Sequence, residues 1–369
     1  MTGVKTVLCL IGTRPEAIKM APLLRALQSC SGFRCLCCLS GQHGAVVDST
    51  LALFQIRPDY RLDALRPGQD LAFLTQRIYD GFSQLLEDVQ PDLVLVHGDT
   101  ATAFAGAMAA YHKCLPLGHV EAGLRSGDPT APFPEEIYRQ MIARMVRLHF
   151  APSQNAVENL RREKVSGEII CTGNTVLDAL DAVAALETEP LQLLGVEEGC
   201  RLILLTCHRR ENRDHLPRIL GAVRTILEGN PDVRLVIPMH PDPALRRIVS
   251  DFFAGDSRVV LLSDVPVAQM HDLLVQCYLA LTDSGGLQEE APALGKPVLV
   301  LRSCTERPEC VEAGAAELVG ADPQRIINRV NFLLHNPDAY EKIAQVRRLY
   351  GDGHASEKIV AAIIRFFEE

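Results

Sequence analysis

Two short stretches of the chain place carboxylates directly after apolar runs. His97-Gly98-Asp99-Thr100 ends the run Leu93–Val96, and His119-Val120-Glu121-Ala122-Gly123 repeats the arrangement one unit later. Pro132-Phe133-Pro134-Glu135-Glu136 delivers two further acids through a proline-stiffened loop. In an open parallel α/β sheet, a side chain just beyond the carboxyl end of a strand points into the ligand crevice. A plainer role exists for each of these acids. Asp99 can cap the next helix, and at least one of Glu135 and Glu136 suits the positive end of a helix dipole. Acids gathered from separate loops raise one another's pKa, which fits them for proton transfer near neutral pH.

A second group of stretches reads as phosphate chemistry. Gly12-Thr13-Arg14-Pro15-Glu16 turns from a strand into a helix, an arrangement that favours anions, and Arg14 and Lys19 add charge. It is not G-x-G-x-x-G, and no acid ends the second strand to hold a ribose, so no dinucleotide cofactor is expected. Thr206-Cys207-His208-Arg209-Arg210-Glu211 offers His208 as a phosphate donor beside two arginines, and His240 is a weaker version of the same idea. In Asp283-Ser284-Gly285-Gly286-Leu287-Gln288-Glu289-Glu290, the small residues let backbone approach a phosphate, and Glu290 can accept ribose hydroxyls. Arg302 to Glu309 adds an arginine–carboxylate loop. Together these predict a nucleoside diphosphate held by the second half, its distal group directed toward the acids of the first.

The elements that must position these side chains alternate between strand and helix. Strands are expected at Val4–Ile11, Phe33–Leu39, Leu93–His97, Leu117–Val120 and Leu148–Ala151. Helices are expected over Pro15–Leu27, Asp70–Glu87, Thr100–Tyr111 and Glu135–Val146. The alternation restarts with strands at Leu202–Thr206, Val233–Pro238, Val259–Leu262, Leu279–Thr282 and Val298–Leu301, and helices over Leu216–Glu228, Pro243–Phe253, Val267–Gln276 and Gly286–Leu294. Continuous apolar strands imply parallel sheets covered on both faces. The fold class is therefore α/β, with two Rossmann-like doubly wound domains facing a central cleft. The boundary falls in the acidic, helical stretch Asp178–Gly199. Residues 1–178 carry the acids, residues 179–354 bind the nucleotide, and the last helix, 355–369, returns to the first domain.

Composition excludes several classes. The 369 residues are 47% hydrophobic and 22% charged, a globular balance. Lys+Arg 37 against Asp+Glu 46 leaves no basic surplus for nucleic acid. No apolar run reaches the roughly 18–20 residues of a membrane span, and the opening run is too short for a signal peptide, so a cytoplasmic protein is expected. The twelve cysteines lie mostly in apolar runs without a second pair or a His cluster, and read as buried thiols rather than as metal ligands or disulfides.

With these motifs in hand, the chain resembles the non-hydrolysing UDP-N-acetylglucosamine 2-epimerases, which have a GT-B-type architecture. The resemblance runs through Gly12–Met20, His97–Thr100, His119–Gly127, Pro134–Glu136, Thr172–Thr175, His208–Glu211, Asp283–Pro292, Thr305–Glu309 and Tyr350–Gly353. It implies interconversion of UDP-GlcNAc and UDP-ManNAc without cofactor or metal, in a homodimer that supplies ManNAc for surface polysaccharide. It implies Asp99, Glu121 and Glu135 as acid/base groups and His208 as stabiliser of the leaving diphosphate. It implies Arg14, Lys19, Ser284, Gly285, Gly286, Glu290 and Arg307 as UDP contacts. Bacterial members commonly place a second, activating substrate molecule against a polar stretch after Gln-His. Here Gln42-His43 is followed by Gly44-Ala45-Val46-Val47 and the basic position near Gly68 is missing, while Glu136, Arg209 or Arg210, and His240 remain. Weakened or missing activation by UDP-GlcNAc is therefore expected. Cys207, Cys304 and Val265–Met270 also depart from the pattern around the uracil contacts. Hydrolysing 2-epimerases and GT-B glycosyltransferases are the alternatives, and a non-catalytic nucleotide-sugar sensor is the third.

Overall fold

The structure is a computed structural model that describes residues 3–66, 68, 70–186 and 199–368. Much of the acidic connecting stretch expected between the halves, residues 187–198, lies outside the described residues. Two compact units divide the chain: Met1–Ala182 together with Tyr350–Glu369, and Val183–Leu349.

The first unit holds β1 (Lys5–Ile11), β2 (Phe33–Leu39), β3 (Tyr60–Arg61), β4 (Leu93–His97), β5 (Leu117–Val120), β6 (Leu148–Ala151) and β7 (Glu168–Cys171). They pair in parallel in the order β3-β2-β1-β4-β5-β6-β7. Strand order reverses between β1 and β4, and such a switch point leaves a crevice at the carboxyl ends of the strands. All five residues of β4 are buried, the mark of a strand covered on both faces. The helix Ala101–His112 can lie close to the sheet because its residues are small. A Cβ added at Gly106 would come within 2.4 Å of Leu10 Cδ2. The closing helix Ala355–Glu368 packs on Arg14–Gln28. Its first turn is capped by Asp178, whose carboxylate accepts the Ala355 and Ser356 N–H groups at 3.1 and 2.7 Å.

The second unit holds β8 (Arg201–Thr206), β9 (Val233–Pro238), β10 (Val259–Leu262), β11 (Leu279–Thr282), β12 (Val298–Val300) and β13 (Ala316–Leu318). All pair in parallel in the order β10-β9-β8-β11-β12-β13. The switch point now falls between β8 and β11, so Cys207-His208 and Asp283-Ser284 leave the sheet side by side. Ile219 and Val223 of helix Leu216–Gly229 join Ile326 and Val330 of helix Pro323–His335 in its core. Both sheets are thus Rossmann-like.

The structure corrects the sequence reading in several places. The helix after Pro134 stops at Ala143. Helices Gly44–Leu53, Gln154–Arg162, Pro323–His335 and Pro337–Ile343, and strands β3, β7 and β13, were not anticipated. Cys114 and Cys171 are exposed rather than buried, since one follows a helix and the other ends an edge strand. No helix among the described residues is long and apolar enough to cross a membrane.

Candidate active site

The turn leaving β1 is built around a buried carboxylate. Glu16, 2% exposed, accepts hydrogen bonds from the Gly12 and Thr13 N–H groups at 3.1 and 2.7 Å. It also accepts from the hydroxyls of Thr13 at 2.8 Å and Thr100 at 2.9 Å. Burial pushes its pKa up to about 7, against the pull of these donors. Thr100 is the cap of the helix that follows Asp99, its side chain accepting from the Ala103 N–H. One carboxylate therefore ties the anion-type turn to the Asp99 loop. Only glycine fits at position 12, because a Cβ there would sit 2.0 Å from Thr102 Oγ1 and 2.9 Å from Ser40 Oγ.

Asp99 and Glu121 follow β4 and β5, which are neighbours in register His97↔Val120. The sequence reading set these acids against one another; the structure instead gives each a cation. Lys19, 5% exposed on helix Arg14–Gln28, pairs with Glu121 Oε2. Arg139 pairs with Asp99 and lies 3.3 Å from Glu136. The amide of Asn174 donates to Glu121 Oε2 at 2.7 Å, and His97 Nε2 stands 3.9 Å from the same oxygen. Glu121 has a φ of +66°, a region that non-glycine residues occupy only when their surroundings hold them there. The Ala122 N–H donates to the Phe150 carbonyl at 3.0 Å, and the Gly98 N–H to the Val120 carbonyl at 2.9 Å. Beneath them His119, fully buried, donates its Nε2–H to the Gly98 carbonyl at 2.7 Å. Burial pushes its pKa down to about 3, so it stays neutral and structural.

Glu135 and Glu136 open helix Glu135–Ala143, as expected, and the structure separates their roles. Glu136 is fully buried and accepts from the Ser126 N–H at 3.0 Å and the Gln140 amide at 2.9 Å. It therefore fastens the loop after β5. Glu135 is only partly buried and lies in the same first turn, one turn before Arg139 and so on the helix anchored to Asp99.

Of the residues expected around a second substrate molecule, Gln42 and Glu136 already have internal side-chain partners. The Gln42 side-chain Oε1 accepts from Thr102 Oγ1 at 2.7 Å, and the His43 backbone N–H donates to the Gly12 carbonyl at 3.0 Å. The apolar Val46-Val47 stretch forms helix Gly44–Leu53, with Val47 buried. A cavity of about 350 Å³ beside Gly12 is lined by His43, Gly44, Asp63 and two arginines. Of these, Arg61 pairs with Asp48.

In the second unit, Asp283 organises the strand ends. It is fully buried and accepts at Oδ2 from the His208 and Arg209 N–H groups, each at 2.8 Å, and from Asn212 at 3.0 Å. Its Oδ1 faces His208 Nδ1 at 3.3 Å. Burial alone would push Asp283 up, but the His208 ring and the donated hydrogen bonds hold it below the usual carboxylate range. Burial lowers the pKa of His208, Arg209 and His240 lower it further, and Asp283 pulls it up. The His240 ring stacks on His208 at 5.4 Å between centroids. The Arg210 side chain is outside the described residues.

Ser284, Gly285 and Gly286 lead into the seven-residue helix Leu287–Ala293, which carries Glu290 in its first turn. The Ser284 N–H donates to Thr282 Oγ1 at 2.9 Å. Arg307 is 4% exposed and pairs with Glu289 and Glu306. A Cβ on Gly285 would lie 2.5 Å from its guanidinium, so Arg307 underlies this glycine turn. Sequence reasoning gave no role to Glu16, Arg139, Asn174 or Asn212. Arg139 pairs with Asp99, Asn174 with Glu121 and Asn212 with Asp283, all distant in sequence. Two of the four did leave a signal: Asn174 lies inside the quoted Thr172–Thr175 motif, and Thr13-Arg14-Pro15-Glu16 has the capping-box spacing that ties Glu16 to its own turn.

A family model described as UDP-N-acetylglucosamine 2-epimerase matches residues 25–364. A putative UDP-N-acetylglucosamine 2-epimerase of Thermotoga maritima is 47% identical over 366 residues, covering 98% of this chain and 97% of that protein. The UDP-N-acetylglucosamine 2-epimerase of Bacillus subtilis is 43% identical over 360 residues, covering 97% and 94%. Among solved structures, the UDP-GlcNAc 2-epimerase of Neisseria meningitidis bound to UDP-GlcNAc superposes with a TM-score of 0.95. It is 39% identical and covers 98% of this chain and 100% of that one.

Proposed function

Since the chain belongs to the UDP-N-acetylglucosamine 2-epimerase family, we propose that it interconverts UDP-GlcNAc and UDP-ManNAc by eliminating and re-adding UDP. The observation that carries this reading is the pair of strand-end carboxylates, Asp99 after β4 at the topological switch point and Glu121 after the neighbouring β5, each held by its own cation.

The chemistry dictates the order of events. The proton on C2 is not next to a carbonyl, so direct removal would leave an unstabilised carbanion. When the C1–O bond to UDP breaks first, the electron pair leaves with the diphosphate and the sugar becomes an oxocarbenium ion. Its C2–H is then acidic, and a carboxylate takes that proton to give 2-acetamidoglucal beside UDP. Protonation at C2 from the opposite face and return of UDP to C1 complete the inversion. Asp99, Glu121 and Glu135 are the acid/base groups of this reading. His208 meets the charge that builds on departing UDP, and a dianion beside it raises its proton affinity. Ser284, Gly285, Gly286 and Glu290 take UDP in the carboxy-terminal unit, where Arg307 shapes their turn. Arg14 and Lys19 add positive charge in the amino-terminal unit. On the same reading the enzyme is a cytoplasmic homodimer whose UDP-ManNAc feeds surface polysaccharide.

Proton NMR of UDP-GlcNAc incubated with the protein in deuterated buffer tests the reaction. UDP-ManNAc carrying deuterium at C2 is the expected product. Free sugar would mean hydrolysis instead, and no change without an acceptor would mean glycosyl transfer. For the second substrate molecule, Gln42, His43, Glu136, Arg209, Arg210 and His240 form a weakened set, because Gln42 and Glu136 already serve internal partners. Turnover of UDP-ManNAc is accordingly expected to follow a hyperbola. A sigmoid relieved by trace UDP-GlcNAc would contradict that.

A further inference from the structure

We propose that Asn174 positions the Glu121 carboxylate for proton transfer, an inference that rests on Glu121 being one of the acid/base groups. Asn174 lies 3% exposed in the turn between β7 and helix Thr175–Ala184, and its amide has one possible orientation. Its Oδ1 accepts from the Val176 N–H at 3.1 Å, so the Nδ2 side must be the one that faces Glu121 Oε2 at 2.7 Å. Its backbone N–H is held by the Tyr350 carbonyl at 2.7 Å. Gly173, at φ +86°, lies so close to that segment that an added Cβ would come within 3.0 Å of the Tyr350 oxygen. The segment is itself fixed, because Tyr350 is 1% exposed and Asp178 caps the helix that follows.

The carboxylate needs such a support. Its backbone sits at a positive φ, and the charged or titratable groups facing it include Lys19 on one side and His97 at 3.9 Å. Lys19 and Asn174 converge on Oε2, and two donors on one oxygen fix the plane of the carboxylate where a single flexible ammonium would leave it free to turn. Asn174 contributes this without adding charge, and a neutral donor does not compete with Glu121 for the proton being moved. The carboxyl-terminal return of the chain thereby reaches a group that acts on the sugar.

Three variants separate a positioning role from a structural one. Asn174→Ser keeps a hydroxyl able to cap Val176 but too short to reach Glu121, and Asn174→Asp keeps the shape while placing a second carboxylate against the first. Asn174→Ser is expected to lower kcat about 10- to 100-fold, the worth of a hydrogen bond to a charged group. Its UDP affinity by calorimetry and its melting temperature should stay near wild type. In Asn174→Asp the limb of the kcat/KM–pH profile set by Glu121 should move up by about one unit, since like charges disfavour ionisation. Wild-type kcat and pH profile in both variants, with Glu121→Gln inactive, would overturn the proposal. So would a loss of kcat in Asn174→Ser matched by lost UDP affinity or by unfolding, which would make Asn174 merely structural. Near-wild-type turnover of Glu121→Gln would instead remove the reading of Glu121 on which the inference rests.

Discussion

Asp99→Asn lowers the rate of C2 epimerisation by about 10²- to 10⁴-fold, the usual worth of a positioned acid/base group, and leaves UDP binding close to wild type. Asn keeps the size and the hydrogen-bonding reach of the side chain but cannot take a proton at neutral pH. The structure also makes it the cleaner of the two acid replacements. When Asp99 loses its charge, Arg139 keeps Glu136 at 3.3 Å, so no buried cation is left alone. Glu121→Gln should lose activity by a similar factor and melt at a lower temperature as well, because it weakens the pairing of Lys19, which is 5% exposed. The two variants therefore predict one kinetic outcome and two stabilities. Turnover near wild type in both, measured beside calorimetric UDP titration and thermal melting, would remove these carboxylates from the reaction. Equal losses of turnover and UDP affinity would mean that Asp99 holds the nucleotide rather than the proton.

How much of this was legible depended on how far apart the cooperating residues lie. β4 is four buried apolar residues and a buried histidine ending in a turn, so its existence and the position of Asp99 just beyond its end follow from local pattern. β3 has two residues and β7 is a sheet edge with exposed ends, and neither contains enough period to stand out. Helix Gln154–Arg162 buries only Ala156, Val157 and Leu160 and reads as a polar stretch. Helix Pro323–His335 is a different case, since Ile326, Val330, Leu333 and Leu334 follow helical spacing and were open to being found. In the site, residue types at strand ends pointed to the acids. What keeps those acids in place was not visible: Lys19 and Glu121 lie 102 positions apart, and Asn174 and Glu121 lie 53 apart. Clustered acids suggested mutual repulsion, and only the folded chain shows that Lys19 and Arg139 pair with them.

Asp283→Ala should destabilise the protein by about 3 kcal/mol or more, because it strands several donors that fold onto one buried carboxylate. The His208 N–H, the Arg209 N–H and the Asn212 amide all converge on Oδ2. For a unit of this size the loss corresponds to a melting temperature lower by roughly 6–12 °C. The sign of its pH dependence is fixed by the lowered pKa of Asp283, whose ordinary value is 3.8. A carboxylate with a depressed folded pKa stabilises above its unfolded value, and that contribution fades as pH falls through and below it. The gap between wild type and Asp283→Ala should therefore be full at pH 7 and shrink below about pH 4. Asp283→Asn separates stability from proton affinity. Its carbonyl can still accept the two backbone N–H groups, so much of the stability returns, but the negative charge that pulls the His208 pKa upward is gone. With less protonated His208 available, UDP binding by Asp283→Asn should strengthen less as pH falls than the binding expected of wild type. If Asp283→Ala melts within a degree or two of wild type, or if Asp283→Asn binds UDP with an unchanged pH dependence, then Asp283 is neither the anchor of the His208 loop nor the group that tunes its ring.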